Sequence, residues 1–352
     1  MLQAASEIYL DDPVGIAERL CRHYNEHGTA SMAGTKGLIE TIYGRAFLVA
    51  DDGRLSFRVE ADDDTSLIYM KMGMIHHLRE FAGDDMATLA WTGDGLTGGY
   101  PPFFREMKVV EAYDITPKMR RVVLKGENLE RFTHNGLHIR LIFPPEGRKP
   151  VWPVLGTDGC PIWPEGEDAL TARVYTIRSL DLVKSEMAVD ILRHDGDSTP
   201  GSAFAIGAKP GDVVGVTGPG GGGIPDSGSL FLFGDETAIP AIARILEDAG
   251  HNSSIRAYIE VADEFEEQSL TCKGRCDIEW LYRARGERLV DAATAVTLDQ
   301  IGDDTFFWAA CEFCDFKTIR KHCRTTLKLP RERHLVVAYW RKDLPARPAK
   351  AA

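Results

Sequence analysis

Hydrophobic and polar positions along this chain change their period as it proceeds. In VGIAERLCRHYNEH (14–27) and MKMGMIHHLREFAG (70–83) apolar residues return every three to four positions, which predicts two helices that each bury one face. Between them, ETIYGRAFLVAD and RLSFRVEAD read as strands. From about residue 103 the helical period disappears. KVVEAYDIT, MRRVVLKG, HIRLIFPP, RVYTIR, MAVDILRH and DVVGVTGP are six short β-like runs separated by turns, the pattern of an antiparallel barrel. Further on, SLFLFGDE, TAIPAIARILEDAG, SIRAYIEVAD, DTFFWAACE, FCDFKTIRKHCRTT and HLVVAYWR alternate strand with helix, which predicts a parallel sheet covered by helices.

Two Gly- and Pro-rich stretches, WTGDGLTGGYPP (91–102) and GPGGGGIP (218–225), interrupt these patterns and read as connections. They divide the chain into a small α/β domain (1–98), an antiparallel β-barrel (103–225) and an α/β parallel-sheet domain (226–345). A length of 352 residues, too long for one typical core, fits such a division. The net charge of −12 argues against a nucleic-acid partner, whose phosphates most of this surface would repel. MLQAASEIYLDDP carries acids and no apolar run of signal-peptide kind, and nothing approaches the roughly 20 apolar residues of a membrane span. A cytoplasmic protein is the expectation, and its seven cysteines read as reduced thiols.

The chemistry concentrates in three places. In RVYTIR, Arg173 is a phosphate clamp, Tyr175 a flat ring that can lie on an isoalloxazine, and Thr176 a hydroxyl for its edge. Alternation puts Arg173, Tyr175 and Ile177 on one side of the strand and Thr176 and Arg178 on the other. In HDGDSTPGSAFA, His194, Ser198, Thr199, Gly201 and Ser202 precede a helical run whose first amides and hydroxyls suit a pyrophosphate, or simply cap the helix. In GDETAIP, Asp235, Glu236 and Thr237 lie where a strand ends and a helix begins, the place a nicotinamide dinucleotide takes in such sheets. The two acids are unusual neighbours for a phosphate, so the pyrophosphate is expected on the Thr237 side or is weakly held. After the second strand IEVADEFEEQ offers acids and no arginine, which slightly favours NADH over NADPH.

A basic face comes last. Lys317, Arg320, Lys321 and Arg324 recur at i, i+3, i+4 and i+7 in an otherwise acidic chain; with Arg341 and Arg140 they are candidates for holding an anionic substrate, or the helix face is merely solvated. Cys311 and Cys314 form a CxxC, but Cys272, Cys276 and Cys323 match no common cluster spacing, so buried small hydrophobes are expected. His23, His27, His76 and His77 include an i,i+4 pair without an accompanying HExxH or Cys cluster, and no metal site is expected.

The order of ITPKMRRVVLKGENLERF, LHIRLIFPP, RVYTIR, the 189–221 run, GDETAIPAIARILE, FFWAACEFCDFKTIRKHCR and VVAYWR over about 105–343 resembles the siderophore-interacting protein family, FAD-dependent ferric-siderophore reductases related to the ferredoxin reductases. The resemblance implies an FAD-binding barrel, a nucleotide domain for NADH or NADPH, and a ferric siderophore as substrate, with a ferredoxin-like protein as an alternative donor. It carries the FAD-contacting roles to Arg173, Tyr175, Thr176, Arg178, His194, Ser198, Thr199, Gly201 and Ser202. Phe204 stands where the family usually has tryptophan, and Cys311 where it commonly has glycine. The first hundred residues resemble a small domain of unknown function sometimes fused to such reductases. A general flavin or quinone reductase and a non-enzymatic siderophore-binding protein are the alternatives.

Overall fold

Asp12 and Asp63 start the two helices that the apolar period predicts. Their side chains accept from the amides of Gly15 at 2.9 Å and Ser66 at 3.0 Å, satisfying amides that a helix leaves unpaired at its first turn. The computed structural model describes residues 1–26, 28–83, 89–95, 98–134, 136–194 and 199–342, and divides into two units. In the first, β1 (Leu2–Tyr9), β2 (Thr29–Ala33), β3 (Lys36–Thr41), β4 (Gly44–Asp51), β5 (Arg54–Ala61) and β6 (Thr92–Gly93) form an antiparallel sheet of order β2-β3-β4-β5-β1-β6. Helices α1 (Pro13–Tyr24) and α2 (Asp64–Ala82) pack on it, enclosing Leu20, Leu48, Leu55, Phe57, Leu67 and Met74. Helix α1 stops at Tyr24, so it carries His23 without its expected i,i+4 partner; His27 lies outside the described residues.

The second unit begins at Arg105, one residue into β7 (Phe104–Asp114), and continues through β8 (Met119–Lys125) and β9 (His138–Phe143). The chain then leaves for residues 145–170, which include the small hairpin β10 (Val154–Leu155) and β11 (Pro161–Ile162) and belong to the first unit. There Trp152 packs on Phe104 with ring centroids 5.3 Å apart, Asp158 pairs with Arg79 at 3.0 Å, and the Trp91 indole donates to the Asp158 carbonyl at 3.0 Å. Strands β12 (Thr171–Asp181), β13 (Glu186–Leu192) and β14 (Val213–Gly220) complete a closed antiparallel barrel, β12-β13-β8-β7-β14-β9, with helix α3 (Pro200–Gly207) inserted before β14. Inward-facing Val122, Leu124, Leu141, Ile177, Val189 and Val216 fill it.

The same unit continues into a parallel sheet of order β17-β16-β15-β18-β19, made of β15 (Ser229–Asp235), β16 (Ser254–Val261), β17 (Arg275–Tyr282), β18 (Thr305–Glu312) and β19 (His334–Trp340). Helices α4 (Ile239–Asp248), α5 (Leu289–Thr294) and α6 (Phe313–Lys321) accompany it, and separate apolar clusters fill its two faces. No helix among the described residues is long and apolar enough to cross a membrane.

Candidate functional site

Strand β12 lies between β9 and β13, so its side chains alternate between barrel interior and outer face. Ile177 is fully buried in the core with Tyr175 packed against that core, while Val174 points the other way and is 62% exposed. Burial pushes the Tyr175 phenol up to about 12, with the Arg173 cation pulling slightly against it. The Tyr175 hydroxyl rests against Gly201 in the first turn of α3. A Cβ at position 201 would run into that hydroxyl and stand 2.8 Å from Cζ, so no other residue fits without moving the ring. Thr199 occupies the N-cap position without a side-chain cap hydrogen bond, Pro200 follows it at the first helical position, and the buried Ser202 hydroxyl accepts from the His194 amide at 3.1 Å.

Tyr175, His194, Thr199, Gly201 and Ser202 are thereby brought together at the start of α3, with Arg173 two residues from Tyr175 on the same strand. Ser198 lies outside the described residues. Amides at a helix start together with a guanidinium suit a pyrophosphate, and Gly201 lets the Tyr175 ring seat against that helix start. These residues fit the diphosphate end of a flavin dinucleotide.

The other side of β12 faces different partners. Thr176 is buried and pairs in register with His138 of β9, while Arg140 sits opposite Val174 and Thr217. His138 Nε2 and the Tyr339 hydroxyl of β19 stand 2.6 Å apart, linking barrel to parallel sheet; burial lowers the pKa of His138. Arg178 is committed to a two-pronged ion pair with Glu247 of α4, at 2.7 and 3.1 Å, and Arg244 donates to the Ile177 carbonyl at 3.3 Å. Arg178 is thus a brace between barrel and sheet in this structure. The His138–Tyr339 link joins residues 201 positions apart and has no local sequence signal.

At the carboxyl edge of the parallel sheet the acids of GDE turn inward. Asp235 is buried and accepts from the Thr237 amide at 2.9 Å and from the Trp340 indole at 2.7 Å. Burial pushes its carboxyl up to about 6 against the pull of those donors. Glu236 is buried and pairs with Arg283, whose Nη1 lies 2.9 Å from its Oε2 and 3.1 Å from Glu260 Oε1. Arg288 stands 3.4 Å from both Glu260 and Asp315, and the Leu289 amide donates to Glu260 at 2.5 Å. Burial works against the Arg283 cation, but Glu236 and Glu260 hold its pKa above the usual value. The structure therefore occupies both acids of GDE internally, and Asp235 also takes the amide and hydroxyl of half-buried Thr237 at the helix start. Sequence reasoning missed Arg283 and Arg288 because they follow β17, the strand whose pattern was not recognised; they place cations beside Glu260, where only acids were expected.

On α6, Lys317, Arg320 and Lys321 are exposed, as are Arg324 and Arg341. Lys317 Nζ and the Arg341 guanidinium lie 5.0 and 4.6 Å from the same ring, that of Phe313, and Arg320 lies 5.5 Å from the ring of Phe316. Helix α6 ends at Lys321 and a π-helical turn, His322–Thr326, follows, so Arg324 leaves the α-helical register of the other three. What the structure gathers is an aromatic patch bordered by Lys317, Arg320 and Arg341. All seven cysteines are free thiols; Cys311 is fully buried with its pKa raised by burial, whereas Cys314 is exposed.

A six-stranded barrel carrying a phosphate-ready helix start, followed by a five-stranded parallel sheet, defines a two-module flavoprotein oxidoreductase. The chain belongs to the siderophore-interacting protein family: residues 108–223 match its siderophore-interacting FAD-binding domain and residues 228–343 its siderophore-interacting protein domain. Residues 5–92 match an uncharacterized domain conserved in bacteria, DUF2218. The chain is 32% identical over 244 residues to the NADPH-dependent ferric-chelate reductase of Escherichia coli K12, spanning 67% of this chain and 92% of that one. It is 27% identical over 235 residues to the ferric vibriobactin reductase of Vibrio cholerae, spanning 65% and 86%. Among solved structures, the siderophore utilization protein from T. fusca superposes with a TM-score of 0.60 at 31% identity, covering 72% of this chain and 98% of that one.

Proposed function

We propose that this protein is an FAD-dependent reductase that passes electrons from NAD(P)H to a ferric siderophore and so frees the metal as Fe(II). The observation that carries the reading is the convergence of Tyr175 and His194 on the first turn of α3, beside Arg173, in a chain of this family. FAD, when bound, supplies the capacity to take electrons in a pair and release them singly, as one Fe(III) requires. The protein's residues bind and orient. Arg173 and the α3 amides would hold the diphosphate, and Tyr175, seated against Gly201 and held by the barrel core, would offer a flat ring. His138–Tyr339 and Arg178–Glu247 join the parallel sheet to the barrel, so the two sites would be held on one frame. The pyridine nucleotide would approach the carboxyl edge of β15 on the side of half-buried Thr237, whose amide and hydroxyl stay with Asp235. No side chain is needed as nucleophile, because the chemistry is electron transfer. Fe(II), with its lower charge, is held less tightly by the hard oxygen donors of a siderophore.

The decisive experiment is reduction of several ferric chelates by purified protein under anaerobic conditions, with either pyridine nucleotide and an Fe(II) trap. A flavin-free protein, or one that oxidises NAD(P)H with quinones but with no ferric chelate, overturns the proposal. Arg173→Ala is expected to weaken FAD binding by about 1.5–3 kcal/mol, or roughly 10- to 150-fold, since it removes a charge-assisted phosphate contact. An unchanged FAD dissociation constant removes that role.

The aromatic patch flanked by Lys317 and Arg341 is the proposed approach for an anionic ferric chelate. Replacing both cations with alanine is expected to raise KM for an anionic chelate several-fold at low salt and to change KM for a neutral hydroxamate less. The difference should shrink toward 0.15 M salt, where exposed charges are screened beyond about 8 Å. Equal shifts for both chelates would show that charge does not select the substrate.

A further inference from the structure

Helix α2 carries two adjacent histidines and a glutamate one turn on, and nothing in the reductase reading uses them. A helix places residues three and four apart on the same side, so Glu80 lies beside both His77 and His76. In the structure one donor atom from each of His76, His77 and Glu80 falls within 4.8 Å of the others, and His77 Nδ1 stands 3.2 Å from Glu80 Oε2. Two donors each about 2.1 Å from one ion, at an angle between right and tetrahedral, are about 3.0–3.4 Å apart. The His77–Glu80 pair therefore already stands at a ligating separation, and the exposed His76 ring closes on the same ion by rotating about its side-chain bonds; the hydrogen bond now joining His77 and Glu80 would give way to the ion.

The His77 ring is also held in place. Its centroid is 4.1 Å from that of His23, 5.3 Å from that of Tyr24 and 6.3 Å from that of Phe81. The helices come close here because Gly73 faces the Tyr24 hydroxyl, which a Cβ would approach to 2.7 Å. Packing of this kind fixes the orientation of a ligating imidazole before metal arrives. His76 and Glu80, by contrast, are exposed, so the coordination positions beyond the three protein donors open to solvent.

We infer that His76, His77 and Glu80 form a divalent transition-metal site in the N-terminal unit, and that its occupant is Fe(II). Two imidazole nitrogens and one carboxylate oxygen suit Fe(II), Co(II) and Zn(II), whereas Mg(II) and Ca(II) take oxygen ligands and Cu(I) takes sulfur. The choice of iron rests on the proposed reductase activity, which produces Fe(II); the donor geometry stands without it. Three protein donors with solvent on the open side make a site that takes up and gives back its ion, as a transient acceptor of released iron must.

The test uses the full chain, stripped with chelator and titrated anaerobically with Fe(II) by equilibrium dialysis, with Mg(II) in parallel. One Fe(II) per chain is expected, with no saturable Mg(II) binding. His76→Ala and Glu80→Gln change exposed residues, and each should weaken Fe(II) binding by at least about tenfold, since even removal of a partner behind the ligands costs that much. Circular dichroism and thermal unfolding of each variant establish that the fold is kept. Absence of saturable Fe(II) binding, or binding unchanged in the double variant, overturns the inference. Ferric-chelate reduction is scored separately in the same preparation, so a protein that binds Fe(II) here but reduces no chelate overturns the reductase reading and leaves the site standing.

Discussion

Arg283→Ala is expected to destabilise the second unit by about 3 kcal/mol, the low end for breaking a buried ion pair because the guanidinium is itself partly exposed. Its two carboxylate partners are not exposed: the side chains of Glu236 and Glu260 are 6% and 5% accessible. Removing the arginine leaves Glu236 without its cation and Glu260 with only the longer contact to Arg288 and the Leu289 amide. For a unit of this size the melting temperature should fall by roughly 5–10 °C, measured by scanning calorimetry at neutral pH. Arg283→Lys should recover only part of the loss, because a point charge cannot bridge two carboxylates as the planar fork does. A melting temperature within a degree of wild type would mean that water, and not Arg283, balances these acids.

Gly201→Ala is expected to weaken FAD binding by about 1–3 kcal/mol, or roughly 5- to 150-fold, as overpacking against a seated ring does. The new methyl enters space held by the Tyr175 hydroxyl, and the ring cannot retreat freely because it packs on the barrel core. A second substitution separates sterics from loss of helix-start geometry. Tyr175→Phe removes the hydroxyl but leaves Cζ at 2.8 Å, so it should restore part of the affinity in the Gly201→Ala background; Tyr175→Leu should relieve the clash further while forfeiting the flat ring. Wild-type FAD affinity in Gly201→Ala would show that Tyr175 does not sit against α3 in solution.

Much of this fold was legible because its period changes with its architecture. All six barrel strands were visible as short alternating runs, and Arg173, Tyr175, His194, Thr199, Gly201 and Ser202 lie within the continuous motifs RVYTIR and HDGDSTPGS. The losses have particular causes. ETIYGRAFLVAD reads as one strand because the tip of its turn carries Ile42 and Tyr43, and Ile42 is 88% exposed; the structure folds it into the β3–β4 hairpin. Strand β1 buries Ala4, Ser6 and Ile8, of which the first two are too small or polar to advertise a core position, leaving Ile8 alone among them to mark the strand's inner face. Strand β17 lies at the edge of its sheet, where RCDIEWLY keeps charged residues on alternate positions. Missing it concealed Arg283 and Arg288. For the site, local motifs identified the residues at α3, but the inward commitment of Asp235 and Glu236 and the link from Arg178 to Glu247 depend on elements far apart in the chain.

The excursion from β9 to β12 ties the completion of the first unit to a later stretch of the chain. Residues 1–104 leave the ribosome before residues 145–170, which supply Asp158 to Arg79 and Trp91 and Trp152 to Phe104. At about 5–20 residues per second, the N-terminal unit waits several seconds for Trp152 and Asp158 while the first barrel strands are still being made. Its final packing is therefore an event in the synthesis of the barrel, and a gene cut at the Gly- and Pro-rich connection would produce a barrel whose longest loop has lost the surface it was shaped to meet.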